Sequence, residues 1–277
     1  MRLLILFFSL VAISNPSWAR ECDATSFDAR QIGLDEYDAN DLTDSIVRVS
    51  VRLSDDCELD DLRITPRDAS VFVLASAGSA LNSTHVDAPE VFASNRSEIL
   101  FSPLGLKALL DGVEVPFEFL KLDAGQFVPS GNYQTILDFT SNGQELGTLV
   151  VNVLVSPTIR MFGEAENGNI NVDLGRLNEG VSIRRSIYFR SNARTTLTIE
   201  SDNLGALTHE NGAQLGTIPY SSSLNGIPLN LKGPTGIDMA PNSGQLTEAA
   251  VQIDVAPVTS AYAGVYRDVI TLSFTAQ

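Results

Sequence analysis

The residue types that most often carry acid–base or metal chemistry are sparse in this chain. It contains two histidines, His85 and His209, which lie far apart in the sequence and among polar neighbours. Neither the Gly-x-Ser-x-Gly pattern of serine hydrolases nor the His-Glu-x-x-His pattern of zinc enzymes occurs. We therefore expect both histidines at the surface, and we predict a protein that is not an enzyme, with no catalytic residue and no cofactor.

Two acidic clusters raise the question of calcium binding. One spans residues 35–41 and the other residues 55–61. Neither has the order of an EF-hand loop, with its central Gly and final Glu. The chain has 34 acidic and 18 basic residues, so clusters of carboxylates are expected by abundance alone, and a solvated acidic face is the favoured interpretation. We predict no metal site.

The N-terminus has the pattern of a secretory signal peptide. Met1-Arg2 precedes an apolar run that ends at Ile13, and Ser17-Trp18-Ala19 supplies a small-x-small cleavage site. We therefore predict a signal peptide over residues 1–19 and a mature chain of about 258 residues. The apolar run is shorter than a membrane-spanning helix requires, although a retained anchor is the alternative.

The two cysteines, Cys22 and Cys57, both follow the predicted cleavage site. An exported protein meets an oxidising compartment, where an even cysteine count favours a disulfide. Such a bond would close a loop of about 35 residues and stabilise the fold by about 2–4 kcal/mol. A cysteine-based metal site is the alternative, but the sequence offers few further ligands.

The charge balance excludes some partners. With a formal net charge of −16, the chain repels phosphate backbones, so we predict no nucleic-acid binding. The same charge disfavours attachment to anionic lipid through a basic patch.

Hydrophobic patterning predicts an all-β protein. Short alternating runs are separated by Gly, Pro, Asn and Asp, and a short helical turn at residues 104–110 is the main exception. The spacing favours two immunoglobulin-like β-sandwich domains, at residues 20–155 and 156–277, with the break at Ser156-Pro157; a Greek-key barrel is the competing architecture. The predicted strands are residues 45–53, 71–75, 115–122, 134–139, 146–155, 170–174, 186–189, 196–199, 250–255 and 264–277.

The two halves end differently. A Gly-x-Tyr sequence opens an alternating strand at Gly131 and again at Gly264, which suggests duplication. After the first of these strands, Asn142-Gly143 leads into a second apolar strand, whereas the second copy runs to Gln277 with no such sequence behind it. We therefore expect the last strand to lack a partner and to act as a template for a strand from another molecule.

The second half resembles the spore coat protein U family, which includes subunits of secreted pili built by the archaic chaperone–usher route. The resemblance covers roughly residues 158–277. The segments that carry it are Asp173-Leu174-Gly175-x-Leu177-x-x-Gly180, Arg190-Ser191-Asn192-Ala193, residues 197–207, Ile218-Pro219-Tyr220, Leu224-Asn225-Gly226 and Ala263-Gly264-x-Tyr266-x-Asp268. The first half matches mainly in its cysteine pair and its Gly131-x-Tyr133 strand.

This resemblance implies a subunit whose C-terminal sandwich is incomplete. In such pili a periplasmic chaperone lends a strand, an outer-membrane usher directs assembly, and the N-terminal extension of a neighbouring subunit then replaces the lent strand. The protein would pass through the periplasm to a cell-surface pilus. The acceptor groove would be lined by residues on one face of the last strand, which are Tyr266, Ile270, Leu272 and Phe274. Asp268 falls on the same face, which conflicts with an apolar groove.

The position of Cys22 bears on the place of the subunit in the fibre. A disulfide there would tether the start of the mature chain and leave little free to donate a strand. We therefore expect a tip adhesin rather than a shaft or minor subunit, with a role in surface attachment or biofilm formation. The counter-interpretation is that residues 27–34 swing out as a donor. For the adhesive surface we consider Leu104, Leu106 and Phe127, if they are exposed together, against ordinary packing of these side chains.

Two rival functions stay open. A self-contained carbohydrate-binding protein or hydrolase on a sandwich scaffold is disfavoured by the unpartnered last strand and by the loss of Trp18 with the signal peptide. A periplasmic chaperone would need a complete second domain and a basic strand-lending cleft, neither of which the sequence indicates.

Overall fold

The computed structural model describes residues 22–54, 57–239 and 244–277. The predicted signal peptide therefore lies outside the described residues. The chain is all-β, with 53% strand and 7% helix, which confirms the predicted fold class.

In the first half, the helix is α1 (Pro103–Leu110) and the described strands are β1 (Phe27–Gly33), β2 (Glu36–Tyr37), β3 (Ser45–Leu53), β4 (Arg63–Pro66), β5 (Leu74–Ser76), β6 (Ser79–Leu81), β7 (Ser83–His85), β8 (Val91–Asn95), β9 (Glu98–Phe101), β10 (Val115–Leu122), β11 (Gly131–Ser141) and β12 (Gln144–Val155). In the second half they are β13 (Ile159–Phe162), β14 (Val181–Ser191), β15 (Thr195–Ser201), β16 (Ala206–His209), β17 (Thr217–Leu224), β18 (Ile227–Pro228), β19 (Thr235–Met239), β20 (Thr247–Val255), β21 (Tyr266–Arg267) and β22 (Ile270–Ala276). Short 3-10 turns lie at Gly163–Asn167, Leu177–Glu179 and Ala213–Leu215.

The strands that precede Ser156 form one sandwich, which we call domain 1. One sheet has the order β1-β3-β10-β7, and the other has the order β2-β12-β11-β4-β9-β8 with β5 and β6 attached. Alternate residues of β3 and β11 point inward, as the period of two requires, and the apolar ones among them are at most 3% exposed in a shared core. Among the core rings, Phe101 and Phe117 meet edge to face with centroids 5.7 Å apart.

The strands that follow Pro157 form a second sandwich, domain 2. One sheet has the order β13-β14-β20-β17-β16-β21 with β18 attached, and the described strands of the facing sheet have the order β19-β15-β22. Among the described residues, no sheet combines strands from both domains. The core of domain 2 is divided into two apolar clusters, one around Phe189 and Leu197 and the other around Leu207 and Ile218.

A buried asparagine connects the two domains. The Thr158 amide donates to Oδ1 of Asn192 at 2.7 Å, and Nδ2 of Asn192 donates to the Ser156 carbonyl at 2.9 Å. The Ser130 amide of domain 1 donates to the Asn192 carbonyl at 2.9 Å. Because Asn192 is only 2% exposed, these hydrogen bonds satisfy groups that would be costly to leave unpaired.

Two predicted strands differ from the structure. Residues 170–174 alternate between partly buried and exposed positions as a strand would, but they have no strand pairing in the described structure. The apolar run at residues 71–75 forms a strand only from Leu74. For residues 170–174 the hydrophobic pattern reports which side chains face the core, whereas the ladder requires a neighbouring backbone that the pattern does not encode. The continuous apolar run at residues 71–75 overstates burial, because Val71 is 38% exposed and Ala75 is also exposed.

Candidate strand-acceptor groove

Domain 1 shows what a complete sandwich looks like at its Gly-x-Tyr strand. β11 pairs antiparallel with β12 from Gly131 to Ser141 on one edge, and its other edge pairs with β4 and β5. With neighbours on both sides, its inward side chains Tyr133, Leu137 and Phe139 are at most 1% exposed.

In domain 2 the Gly-x-Tyr sequence opens the short strand β21, and the longer strand that follows it, β22, has a neighbour on one edge among the described strands. β22 pairs antiparallel with β15 along its whole length, from Ile270 opposite Ser201 to Ala276 opposite Thr195. Among the described residues, its other edge has no strand partner. The prediction that the last strand is unpaired is therefore wrong for one edge, because β15 fills it, while the edge that corresponds to β12 is open.

The inward face of β22 is apolar and only partly covered. Ile270, Leu272 and Phe274 point toward the core of domain 2 and pack against it, yet each keeps part of its surface exposed. Phe274 contacts Phe189 on the facing sheet, with ring centroids 5.1 Å apart. These three of the four predicted groove residues therefore lie together on one face at an open strand edge.

The apolar surface beside β22 continues onto the other sheet. β13 is its edge strand, pairs with β14 alone among the described strands, and directs Ile159 and Met161 to the same apolar cluster as β22. Ile170, in the extended segment without strand pairing, packs there too. We call this partly exposed apolar surface along the edge strands β13 and β22 the acceptor groove. Its lining is apolar and the edge of β22 has unpaired backbone groups, which is the combination that an added strand would satisfy.

The fourth predicted groove residue, Tyr266, is not part of the groove. It lies in β21, which pairs with β16 in the other sheet. Its hydroxyl donates to the Tyr262 carbonyl at 3.1 Å, just as the Tyr133 hydroxyl donates to the Pro129 carbonyl at 2.9 Å. Each tyrosine thus ties the start of its strand to the backbone four residues upstream, so the repeated Gly-x-Tyr sequence has the same structural role in both domains.

Asp268 marks the point where the chain changes sheets between β21 and β22. Its carboxylate accepts hydrogen bonds from Ser201 Oγ at 2.6 Å, from the Asn203 amide at 3.0 Å and from the Tyr220 hydroxyl. Burial and the bond to Asp268 raise the pKa of Tyr220. The carboxylate is therefore a structural anchor at the base of β22 rather than a charge inside the groove, which removes the conflict that strict alternation predicted.

His209 is buried and His85 is largely buried, with 13% of its side chain exposed, so the prediction that they lie at the surface is wrong. His209 is 5% exposed, and its ring lies against Gly264 and meets the Tyr266 ring edge to face at 5.0 Å. His85 packs in domain 1 with Nδ1 3.0 Å from the Phe119 carbonyl oxygen, and burial lowers its pKa. Each ring fills space at a strand end, and this packing is not visible in the polar residues beside each histidine.

The cysteines form the predicted disulfide, Cys22–Cys57. Residues shortly after Cys57 lie at the end of domain 1 that is remote from the linker, because the Asn142 amide of the β11–β12 turn donates to Asp61 at 2.7 Å. β12 spans roughly 36 Å from this turn to the linker at about 3.3 Å per residue.

The counter-interpretation that residues 27–34 act as a mobile donor is not supported, because β1 pairs with β3 from Phe27 to Gly33.

The three residues considered for adhesion are not exposed together. Leu104, on α1, is 57% exposed, whereas Leu106 packs partly against the core. Phe127 also packs against the core and lies beside Gly244 of domain 2. The eight residues of β10 separate α1 from the loop with Phe127, a distance of about 23 Å at 3.3 Å per residue. A joint surface that includes Phe127 is therefore wrong, since Phe127 is at the domain junction.

The acidic clusters are used in hydrogen bonds within the fold. Asp38 Oδ1 accepts from the Thr158 hydroxyl at 3.1 Å, and Asp61 pairs with Arg63 at 2.7 Å. Among residues 22–54, 57–239 and 244–277, no group of three or more His, Cys, Asp or Glu side chains is placed to hold a metal ion. Within the same residues, no helix has the length and apolarity needed to cross a membrane.

No family model matches the chain, so the resemblance to the spore coat protein U family stays a prediction. No curated protein matches it either.

Several solved structures are similar in fold. One is the CsuC–CsuE chaperone–tip adhesion subunit pre-assembly complex of archaic Csu pili from Acinetobacter baumannii, at 15% identity and a TM-score of 0.44, covering 90% of this chain and 99% of that one. Another is self-complemented MyfA, the major subunit of Myf fimbriae from Yersinia enterocolitica, at 17% identity and a TM-score of 0.32, covering 47% of this chain and 98% of that one. A third is a mutant of the CFA/I adhesin CfaE from enterotoxigenic E. coli, at 14% identity and a TM-score of 0.34, covering 94% of this chain and 81% of that one.

Proposed function

We propose that this protein is a secreted structural and adhesive subunit of a chaperone–usher pilus, assembled by donor-strand complementation. The observation that carries the proposal is the open edge of β22. On that edge the apolar face of Ile270, Leu272 and Phe274 is partly exposed, while the equivalent strand of domain 1 is closed by β12. The partners are a periplasmic chaperone, an outer-membrane usher and a neighbouring subunit.

The physical argument is that an open apolar edge is a liability unless it has a designated occupant. Unpaired backbone groups on an exposed strand promote edge-to-edge aggregation. Native proteins commonly protect such an edge with charged side chains, Pro or a β-bulge. β22 contains neither a charged residue nor a Pro between Ile270 and Ala276. An incoming strand would gain main-chain hydrogen bonds from β22 and place alternate side chains over the apolar lining of the groove.

The position in the fibre that we propose is the tip, with attachment or biofilm formation as the role of domain 1. Support comes from β1, which is held in a sheet and follows the Cys22–Cys57 disulfide, so residues 27–33 serve domain 1 rather than a neighbour. A shaft or minor subunit is the alternative within the same system. If a peptide of residues 20–42 completed another subunit of the fibre, the tip assignment would fail.

The experiment is a native pull-down of the tagged protein from its own periplasm, followed by mass spectrometry. We expect a stoichiometric two-domain chaperone, and we expect the Leu272→Asp variant to lose it because a carboxylate would enter the apolar groove. Ser273→Asp is the matched control, because Ser273 is the exposed neighbour on the same strand, lies opposite the uncharged Thr198, and its side chain points away from the groove. A stable monomer without a partner would contradict the proposal.

A further inference from the structure

Two arginines face each other on the outer surface of the sheet that borders the acceptor groove. Arg160 on β13 is the direct cross-strand partner of Arg190 on β14. The Cβ atoms of such a pair are only about 5 Å apart, and like charges directly opposite each other are destabilising. Both guanidinium groups lie over the ring of Phe162, at 5.7 Å and 5.5 Å from its centroid, so cation–π attraction holds them on one side of the sheet.

Neither arginine has a carboxylate partner within ion-pair distance among the described residues. Some other arginines on the sheets do have an acidic partner: Arg30 pairs with Glu114, Arg48 with Glu118 and Arg184 with Glu248. The two guanidinium groups therefore retain unpaired donors in adjacent positions.

An exposed aromatic residue completes the patch. Tyr188 is the cross-strand partner of Phe162 and is 41% exposed. We call Arg160, Phe162, Tyr188 and Arg190 the arginine–aromatic patch. It lies on the edge strand whose other face lines the acceptor groove through Met161. A molecule that fills the groove therefore meets this strand on one side, and the body of that molecule can reach the patch on the other.

We propose that the arginine–aromatic patch binds acidic side chains of a polypeptide that docks beside the acceptor groove. Planar guanidinium groups bind carboxylates through two parallel hydrogen bonds, and Arg, Tyr and Phe are the residue types enriched at the centres of protein interfaces. The patch is part of a sheet face, and it is separate from the open cleft of about 520 Å³ that Ser182, Tyr220 and Asp254 help to line. A flat site of this kind favours a polypeptide over a small sugar, which needs a concave site.

The identity of the partner as a strand-lending protein rests on the proposed function, whereas the anion site does not. The test therefore uses the whole protein and a fluorescent poly-L-glutamate peptide, with affinity measured by anisotropy at low salt. We expect saturable binding that weakens by about tenfold or more in the Arg160→Ala/Arg190→Ala variant. Arg52→Ala/Arg96→Ala is the matched control, because it removes two exposed arginines of domain 1 and the same total charge, and we expect it to bind like the unmodified protein.

If the double variant bound poly-L-glutamate as tightly as the unmodified protein, the proposal that the patch is an anion site would be overturned. Hyaluronan serves as a uronate polysaccharide probe, and tighter binding of hyaluronan than of poly-L-glutamate through the same arginines would overturn the assignment to a polypeptide. Melting temperatures of all variants establish that they fold. If the groove does not accept a strand, C-terminal fusions that carry an apolar or a polar added strand will melt at the same temperature. Arg160 and Arg190 are unchanged in those fusions, so failure of the proposed function is distinguishable from failure of the anion site.

Discussion

If β22 lacks the neighbour that β11 has in domain 1, then a copy of that neighbour should complete domain 2. The perturbation is a fusion in which an Asn-Gly turn and a copy of residues 148–155 follow Gln277. In domain 1 this strand closes β11 with Val151, Val153 and Val155, each 0% exposed. Asn-Gly is the turn that favours a two-residue hairpin, so the copy would run antiparallel to β22.

The magnitude follows from a matched control with Ser in place of the three valines of the copy. Both fusions have the same length, so the entropy of ordering the added strand largely cancels in the comparison. Full burial of a valine side chain contributes about 1.5 kcal/mol or more. Three valines therefore make a difference of about 4–5 kcal/mol between the two fusions. For a domain of about 120 residues this corresponds to about 16–20 °C in melting temperature.

The assay is differential scanning calorimetry of both fusions beside the unmodified protein. We expect the valine fusion to raise the transition of domain 2 and leave domain 1 unchanged, and we expect the serine fusion to melt close to the unmodified protein. Equal melting temperatures for the two fusions would refute the reasoning, because the groove would then have no preference for apolar side chains.

Three further predictions concern the supports of the two domains. Reduction of Cys22–Cys57 should lower the stability of domain 1 by about 2–4 kcal/mol and leave the transition of domain 2 in place, which calorimetry with and without a reductant would test. Because the folded state raises the pKa of Tyr220 above its ordinary value of 10.0, its contribution is complete below pH 10 and is lost as the pH rises further. Urea titrations should show that the free energy of unfolding falls less between pH 8 and pH 11 in the Tyr220→Phe variant than in the unmodified protein. An equal fall in both proteins would contradict this. In Gly264→Ala the new Cβ would lie 2.1 Å from His209 Nε2, so we expect a cost of about 1–3 kcal/mol, with partial rescue by His209→Ala; a neutral single variant would be the contrary result.

Much of the fold could be predicted because alternation is strong where a strand is buried on one face. The alternation in β3, β10 and β12 indicated both the strands and their inward residues, and the Asn142-Gly143 turn indicated the hairpin between β11 and β12. The cysteine pair could also be predicted from the compartment and an even count.

The groove was only partly predictable, because alternation does not reveal a change of sheet. The sequence pattern predicts one strand over residues 264–277. In the structure β21 ends before Asp268, whose carboxylate is held by hydrogen bonds, and β22 lies in the facing sheet. Tyr266 consequently lies in a different sheet from Ile270. The sequence signal for this break was the single Asp on the apolar face.

The pairing of β22 with β15 was not predictable either, because their contact joins residues about 75 positions apart and depends on the packing of the whole sandwich. The prediction that the three adhesion candidates are exposed together was wrong because exposure also depends on packing between distant parts of the chain. Phe127 is apolar and lies in a loop, but the second domain approaches it through Gly244.

The central claim is that the open edge of β22 accepts a strand from another polypeptide. The most direct measurement places a photoreactive amino acid at Ser273, on the exposed face of β22, and irradiates cells that make the protein. Thr198 is the matched control, because it pairs with Ser273 on one side and Gly236 on the other and is thus flanked by strands of its own chain. We predict a covalent adduct with a different polypeptide from position 273 and only intramolecular products from position 198. Intramolecular products alone from both positions would contradict the account.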